Sequence, residues 1–145
     1  EAAALSAAHA AAFLGSLGWP EDRLNMVGHA IEAHSFSAGV ACDTLEAEVL
    51  QDADRLEALG AIGIARCFSV SGQLGGALFD GGDPRAERRA LDDRAFALDH
   101  FEVKLYRIAD TLNTAPARSI AAQRVAFMRS FSDQLVSEIG EPLKM

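Results

Sequence analysis

Residues 50–63 read LQDADRLEALGAIG, a stretch with the spacing of a helix whose surface is apolar or small on most sides. At about 100° per residue, Asp52 falls within the stripe formed by Leu45 and Val49. Asp54 falls on the opposite side, among alanines. We therefore expect a helix that is buried nearly all round and carries two carboxylates. Because burying a carboxylate is costly unless a positive group meets it, a metal ion is the natural counter-charge.

Outward from this stretch, helical patterns cover the chain and alternating strand patterns are essentially absent. An alanine-rich helix over 2–17 is expected to stop at Gly18, and Pro20 opens the next one. Asp43 is predicted to cap the helix that carries the aspartates, with Glu46 completing a capping box. The sequence predicts an all-α fold of five to seven helices in a single domain.

The second half of the chain continues the helical pattern with one interruption. A helix over 61–68 is expected to resume through Leu78, and residues 80–98 are rich in Gly and charge, which favours a mobile loop. Two apolar stripes then predict helices that face the core: Phe101, Leu105, Ile108 and Leu112, followed by Ile120, Phe127, Phe131 and Leu135.

Three motifs carry a resemblance to a known family. The strings AIEAHSFS at 30–37, QDADRLEALGAIGIAR at 51–66 and HFEVKLYRIADTLNT at 100–114 resemble the C-terminal two-thirds of a bacterial HD-domain phosphohydrolase. The resemblance implies a helical domain that hydrolyses phosphate esters or anhydrides, often of nucleotides, with a divalent metal such as Mn, Mg, Fe, Ni, Co or Zn. It also implies that Asp54, in the family's Ala-Asp-x-Leu context, is a metal ligand.

The chain departs from this family in one respect. No His directly precedes an Asp, so the His-Asp pair that names the family is absent, and Asp99-His100 has the reverse order. The first residues read like the middle of a helix. We therefore expect residues 1–145 to be an HD-like domain without its N-terminal segment, which would supply the other metal ligands.

Composition limits the partners that we expect. Half of the chain is hydrophobic, enough for one core, and the formal net charge of −8 argues against binding a polymeric nucleic acid. The predicted partner is a small phosphorylated molecule, with a nucleotide as first candidate; a homo-oligomer stays open. No run is long enough for a membrane span, and two cysteines without metal spacing favour a reduced, cytoplasmic setting.

Two residues are predicted to be catalytic. His34 ends an apolar stripe near a helix C-terminus, where it could protonate a leaving oxygen or simply be a satisfied core histidine. Asp52 could orient a ligand histidine, or form a plain buried ion pair with an arginine.

Basic residues supply the predicted substrate contacts. His100, Lys104 and Arg107 recur at four and three residues, which places three cations along one helix flank. Such a flank is usually only solvated, but the resemblance favours a substrate-binding role for His100 and Lys104. Arg66 is a weaker candidate of the same kind. The alternative to an enzyme is a catalytically inactive HD-like module that binds a nucleotide or a partner subunit.

Overall fold

The computed structural model describes residues 2–35 and 39–140. The last part of the predicted motif at 30–37 and the residues after 140 therefore lie outside the described part of the chain. The chain divides into two compact units, and the boundary in the sequence lies between Asp54 and Arg55. The described residues fold into helices without a β-strand, which confirms the predicted all-α class.

The first unit contains α1 (Ala2–Ser16), α2 (Glu21–His34) and most of α3 (Leu45–Leu56). Gly18 follows α1 with a φ of 81°, a left-handed conformation that suits glycine and ends the helix as predicted. The core of this unit is made of small residues: Ala30, Ala33 and Ala47 are buried, with Cys42 packed against them.

The expectation that α3 is buried nearly all round is wrong. Leu45 is 65% exposed and Val49 is 51% exposed, and Asp54 is exposed as well. The buried residues of α3 are Ala47, Gln51 and Asp52. The Gln51 side-chain amide donates a hydrogen bond to the Ala33 carbonyl at 2.7 Å, so α3 meets α2 through small and polar groups.

The predicted capping box at the start of α3 is also wrong. The Thr44 hydroxyl accepts a hydrogen bond from the Ala47 backbone N–H at 3.2 Å, so the cap lies one residue later than expected. The Asp43 backbone N–H instead donates to His29 Nε2 at 3.1 Å.

The second unit contains α4 (Gly60–Gln73), α5 and α6 (Ala115–Gly140). Helix α5 spans 97–111 and changes type along its length: it is α-helical over Ala97–His100, π-helical over Phe101–Leu105, α-helical over Tyr106–Ile108 and 3₁₀-helical over Ala109–Thr111. Within the described ranges, no helix combines the length and apolar character needed to cross a membrane.

The core of the second unit follows one predicted stripe and departs from the other. Phe101, Leu105 and Leu112 are buried as predicted, and Phe101 is only 1% exposed. In α6 the predicted stripe holds only in part: Phe131 and Leu135 pack against the core, whereas Ile120 and Phe127 are exposed. This helix instead buries the residues Ala117, Ala121, Met128 and Ser132.

The connection between α4 and α5 is irregular. Helix α4 ends at Gln73 rather than resuming through Leu78, and Gly75 has a φ of 82° in the turn that follows. Backbone N–H groups then bind aspartate side chains: those of Gly82 and Asp83 donate to Asp80 Oδ1 at 2.9 and 2.7 Å. Mobility over 80–98 stays a prediction, but this segment has its own hydrogen bonds.

An ion pair joins this connection to the start of α5. Arg89 donates from Nη1 and Nη2 to the two carboxylate oxygens of Asp99, at 2.5 and 2.8 Å. The Asp92 backbone N–H donates to the same carboxylate at 2.7 Å. The Asp99 side chain is 1% exposed and that of Arg89 is 21% exposed. The hydrogen bonds that Arg89 donates to Asp99 raise the pKa of the Arg89 guanidinium, so this group stays charged.

We expect Asp99→Asn to lower the free energy of unfolding by about 3 kcal/mol, because it removes the buried carboxylate that accepts both Arg89 hydrogen bonds and leaves only Asp80, at 3.8 Å, to meet that charge. Asp133→Asn is the matched control: it breaks the Arg85–Asp133 pair, whose side chains are 45% and 68% exposed. Its cost should be below about 1 kcal/mol. Urea unfolding followed by circular dichroism measures both, and equal losses would contradict a special role for the Asp99 pair.

Candidate functional site

The six predicted site residues divide evenly between the two units. His34, Asp52 and Asp54 lie in the first unit, and Arg66, His100 and Lys104 lie in the second.

His34 is the last residue of α2 and is half-buried. Its Nδ1 lies 2.5 Å from the Ile31 carbonyl oxygen. Because a carbonyl oxygen can only accept, Nδ1 carries the hydrogen of this contact, and Nε2 is left as the ring atom that could exchange a proton. The ring thus ends the helix by binding one of its last carbonyls, which agrees with its predicted place at the C-terminus.

The two aspartates of α3 differ sharply in exposure. Asp52 is 2% exposed, beside the buried Gln51, whereas Asp54 is exposed. The predicted burial of Asp52 is confirmed, and the expectation that Asp54 lies inside a buried surface is wrong. The carboxylate oxygens of Asp54 are accessible to an ion from solvent. A carboxylate as buried as that of Asp52 affects mainly the stability of the fold.

His100 lies at the point where α5 changes into its π-helical turn. Its Nδ1 is 2.9 Å from an Asp93 carboxylate oxygen, and both side chains are partly buried. A carboxylate at Nδ1 favours the tautomer with hydrogen on that nitrogen and orients the ring. Sequence reasoning missed Asp93, because it lies seven positions before His100, in the irregular chain that precedes α5.

The π-helical turn alters the predicted cationic flank. The Tyr106 backbone N–H donates to the Phe101 carbonyl, five residues earlier, so residues five apart come into line here. The α-helical spacing that grouped His100, Lys104 and Arg107 therefore does not hold across this turn. Lys104 and Arg107 are exposed while His100 is half-buried. Single π turns of this kind are frequent at functional sites.

Arg66 is an exposed residue of α4, with no hydrogen bond or ion pair to another described residue. Lys104 is equally without a partner in the described part of the chain. Both cations are therefore available to an anionic ligand.

The described residues do not fit a complete metal site. Across 2–35 and 39–140, no group of three or more His, Cys, Asp or Glu side chains could hold a metal ion. One or two carboxylates on α3 do not close a coordination sphere.

Thiol chemistry has no support in the second unit. Cys67 is half-buried, and its Sγ lies 3.6 Å from the Ala97 carbonyl oxygen. Burial, reinforced by the Asp93 charge, raises the pKa of this thiol to about 11. Because the thiolate is the nucleophile, the raised pKa argues against Cys67 as a nucleophile at neutral pH.

Comparison with known proteins identifies relatives of this chain. No protein-family model matches it. The uncharacterised protein YpgQ of Bacillus subtilis is 41% identical over 96 residues, which are 66% of this chain and 41% of YpgQ. The crystal structure of YpgQ in complex with ADP matches 92% of this chain and 64% of that chain, at 35% identity and a TM-score of 0.72.

A second relative carries a family description. The structure of an HD-superfamily hydrolase from Bacillus thuringiensis matches 90% of this chain and 60% of that chain, at 33% identity and a TM-score of 0.71. The chain thus spans less than two-thirds of the length of each of these relatives. Over the matched residues the chain is 35% and 33% identical to these two structures and has the same helical fold, so it resembles proteins of the HD superfamily.

Proposed function

We propose that the protein hydrolyses a phosphate ester or anhydride of a small molecule, with a nucleotide as the first candidate substrate. The observation that carries this proposal is the match, over nine-tenths of the chain, to a protein whose crystal structure holds ADP. The HD-superfamily hydrolase among its relatives supports the reaction class.

The cations of the second unit supply the chemistry for binding phosphate. Lys104 on the π-helical turn and Arg66 on α4 are exposed and have no carboxylate partner in the described part of the chain. Their N–H groups can donate to phosphoryl oxygens, and their charge stabilises the negative charge that develops as the bond to phosphorus breaks. His100, oriented by Asp93, presents Nε2 as a further contact.

The proton-transfer role proposed for His34 rests on its Nε2 atom. The hydrogen on Nδ1 is held by the Ile31 carbonyl, so the proton given to a leaving oxygen would come from Nε2 of the imidazolium form. Asp52 is buried in α3, and we propose that it is a positioning residue that orients a histidine ligand of the metal.

Metal dependence is part of the proposal, with Asp54 as one ligand. A divalent ion would supply a Lewis acid to such a reaction. Because the described residues contain no group of three or more candidate ligands, they do not complete the site by themselves. The same observation favours a second candidate function: an HD-like module that binds a nucleotide or a partner subunit without hydrolysing anything.

The two functions separate in a direct assay. Turnover of nucleoside di- and triphosphates and of p-nitrophenyl phosphate is measured with Mn²⁺, Mg²⁺, Fe²⁺, Ni²⁺, Co²⁺ and Zn²⁺ in turn, and ADP binding is measured by calorimetry. Metal-dependent turnover supports the hydrolase. ADP binding without turnover supports the module, and the absence of both contradicts each proposal.

Lys104→Ala should weaken ADP binding about tenfold, since the variant loses one charge-assisted contact to phosphate. Arg94→Ala is the matched control, because Arg94 is an exposed cation of the same unit. Calorimetry gives the affinities and elemental analysis gives the metal content. Unchanged affinity in Lys104→Ala, or a loss of metal together with affinity, would contradict the phosphate contact.

Substitution of the two aspartates should give opposite results. Asp54→Asn should lose bound metal and turnover at nearly unchanged stability, because its exposed side chain is proposed to bind the ion. Asp52→Asn should retain metal but lower the free energy of unfolding by roughly 1–3 kcal/mol, because it disturbs a polar group buried in α3. Elemental analysis, turnover and thermal melting measure all three properties. Metal loss in Asp52→Asn alone would transfer the ligand role to Asp52.

A further inference from the structure

A concavity of about 500 Å³ lies between α5 and α6 in the second unit, and none of the six predicted site residues lines it. Its walls carry three arginines and two carboxylates: Arg107, Arg118, Arg129, Glu102 and Asp110. The volume is within the range of small-molecule sites.

A fixed aromatic ring forms one wall. Tyr106 is 8% exposed, and its ring meets Phe101 edge-on at a centroid distance of 6.2 Å. The Ser132 hydroxyl donates to the Met128 carbonyl at 3.0 Å, so the Tyr106 hydroxyl is the donor in its own 3.2 Å contact with Ser132. The π-helical turn sets this ring in place, since Tyr106 follows it directly.

The ring holds one arginine in a defined position. The Arg129 guanidinium carbon lies 4.2 Å from the Tyr106 ring centroid, which is a cation–π contact. Stacking restricts the guanidinium group while its N–H donors remain on its edge, and this fork matches two phosphate oxygens. The Arg129 side chain is therefore already ordered in the unliganded protein, so ligand binding loses less conformational entropy.

The arginines of this concavity form no ion pair with a described residue. Arg118 donates to the Leu112 and Asn113 carbonyls at 3.2 and 2.6 Å, which fixes its side chain without neutralising it. Arg107 has no hydrogen-bonding or ionic partner among the described residues, and neither Arg118 nor Arg129 is in an ion pair there. Three cations thus share one concavity in a chain whose formal net charge is −8.

The two carboxylates narrow the ligand chemistry. Glu102 and Asp110 line the same concavity, and neither is in an ion pair with a described residue. Carboxylates only accept hydrogen bonds, so they suit hydroxyl or amino groups and disfavour a bare anion. We propose that this concavity is a binding site for a sugar phosphate, with the arginines on the phosphate and the carboxylates on the sugar hydroxyls.

Such a ligand is either a free phosphosugar or the ribose phosphate of a nucleotide, and both share this chemistry. The site is distinct from the residues proposed for hydrolysis, so it does not depend on the proposed function. Ribose 5-phosphate, ADP and inorganic pyrophosphate are the three probes. Ribose 5-phosphate binding as tightly as ADP points to a phosphosugar, and tighter ADP binding that Arg129→Gln weakens points to a nucleotide.

The test is calorimetric titration of the whole chain, with side-chain Nε–H resonances of ¹⁵N-labelled arginine as a second readout. Wild-type protein should bind ribose 5-phosphate saturably and shift the Arg129 resonance. Arg107→Gln and Arg129→Gln should each weaken binding about tenfold, as expected for loss of a charged contact, while Arg94→Gln stays within about twofold. Arg129→Lys should recover only part of the affinity, because it restores the charge but not the fork.

A carboxylate variant tests whether the ligand's sugar, and not only its phosphate, contacts the site. Glu102→Gln should weaken ribose 5-phosphate but not pyrophosphate, since pyrophosphate carries no hydroxyl groups for it. Arg107 is exposed, so we expect Arg107→Gln to fold normally. This variant therefore still tests the proposal if Arg129→Gln is unstable. The proposal is overturned if ribose 5-phosphate does not bind saturably and ADP binding is unchanged in Arg129→Gln, or if Arg107→Gln and Arg94→Gln have equal affinities.

Discussion

The ion pair between Arg89 and Asp99 is the constraint on which the second unit depends. The chain between α4 and α5 has no strand or helix of its own, so tertiary contacts must fix where α5 begins. Backbone hydrogen bonds tie Ala77 to Ala95 and Ala97, and the Arg89 fork binds Asp99 one residue before His100. Because Asp99 directly precedes His100, this ion pair also fixes the positions of His100 and of the π-helical turn that follows it.

The cost of burying this pair is offset locally. Arg89 also stacks at 4.5 Å from the Phe96 ring centroid and lies 3.8 Å from an Asp80 oxygen. Other aspartates of the segment bind backbone N–H groups, as Asp83 does for Glu87 and Arg88, and this hydrogen bonding lowers the pKa of Asp83. Several carboxylates of this segment therefore stabilise turns by accepting backbone hydrogen bonds. Only the other carboxylates are available to interact with a ligand.

The sequence predicts helices better than it predicts the faces they bury. Phe101, Leu105 and Leu112 follow their stripe because large apolar residues at helical spacing fill a core. The Leu45 and Val49 stripe fails, since burial depends on what packs against it, and here small residues make the contact. The π-helical turn is invisible in the sequence because apolar spacing does not encode a shift of hydrogen-bond register. The roles of the six candidate site residues stay predictions.

The side chains that line a binding site affect an anionic ligand more strongly than the net charge of the whole chain does. A formal net charge of −8 repels anions at long range, but at physiological salt such repulsion is screened beyond about 8 Å. Within that distance the ligand meets only the side chains that line the site. Arginines held by stacking or by carbonyl contacts, as Arg129 and Arg118 are, keep their charge directed at one place. An acidic protein can therefore select small phosphorylated molecules while rejecting long polyanions, whose charges extend past the local cations.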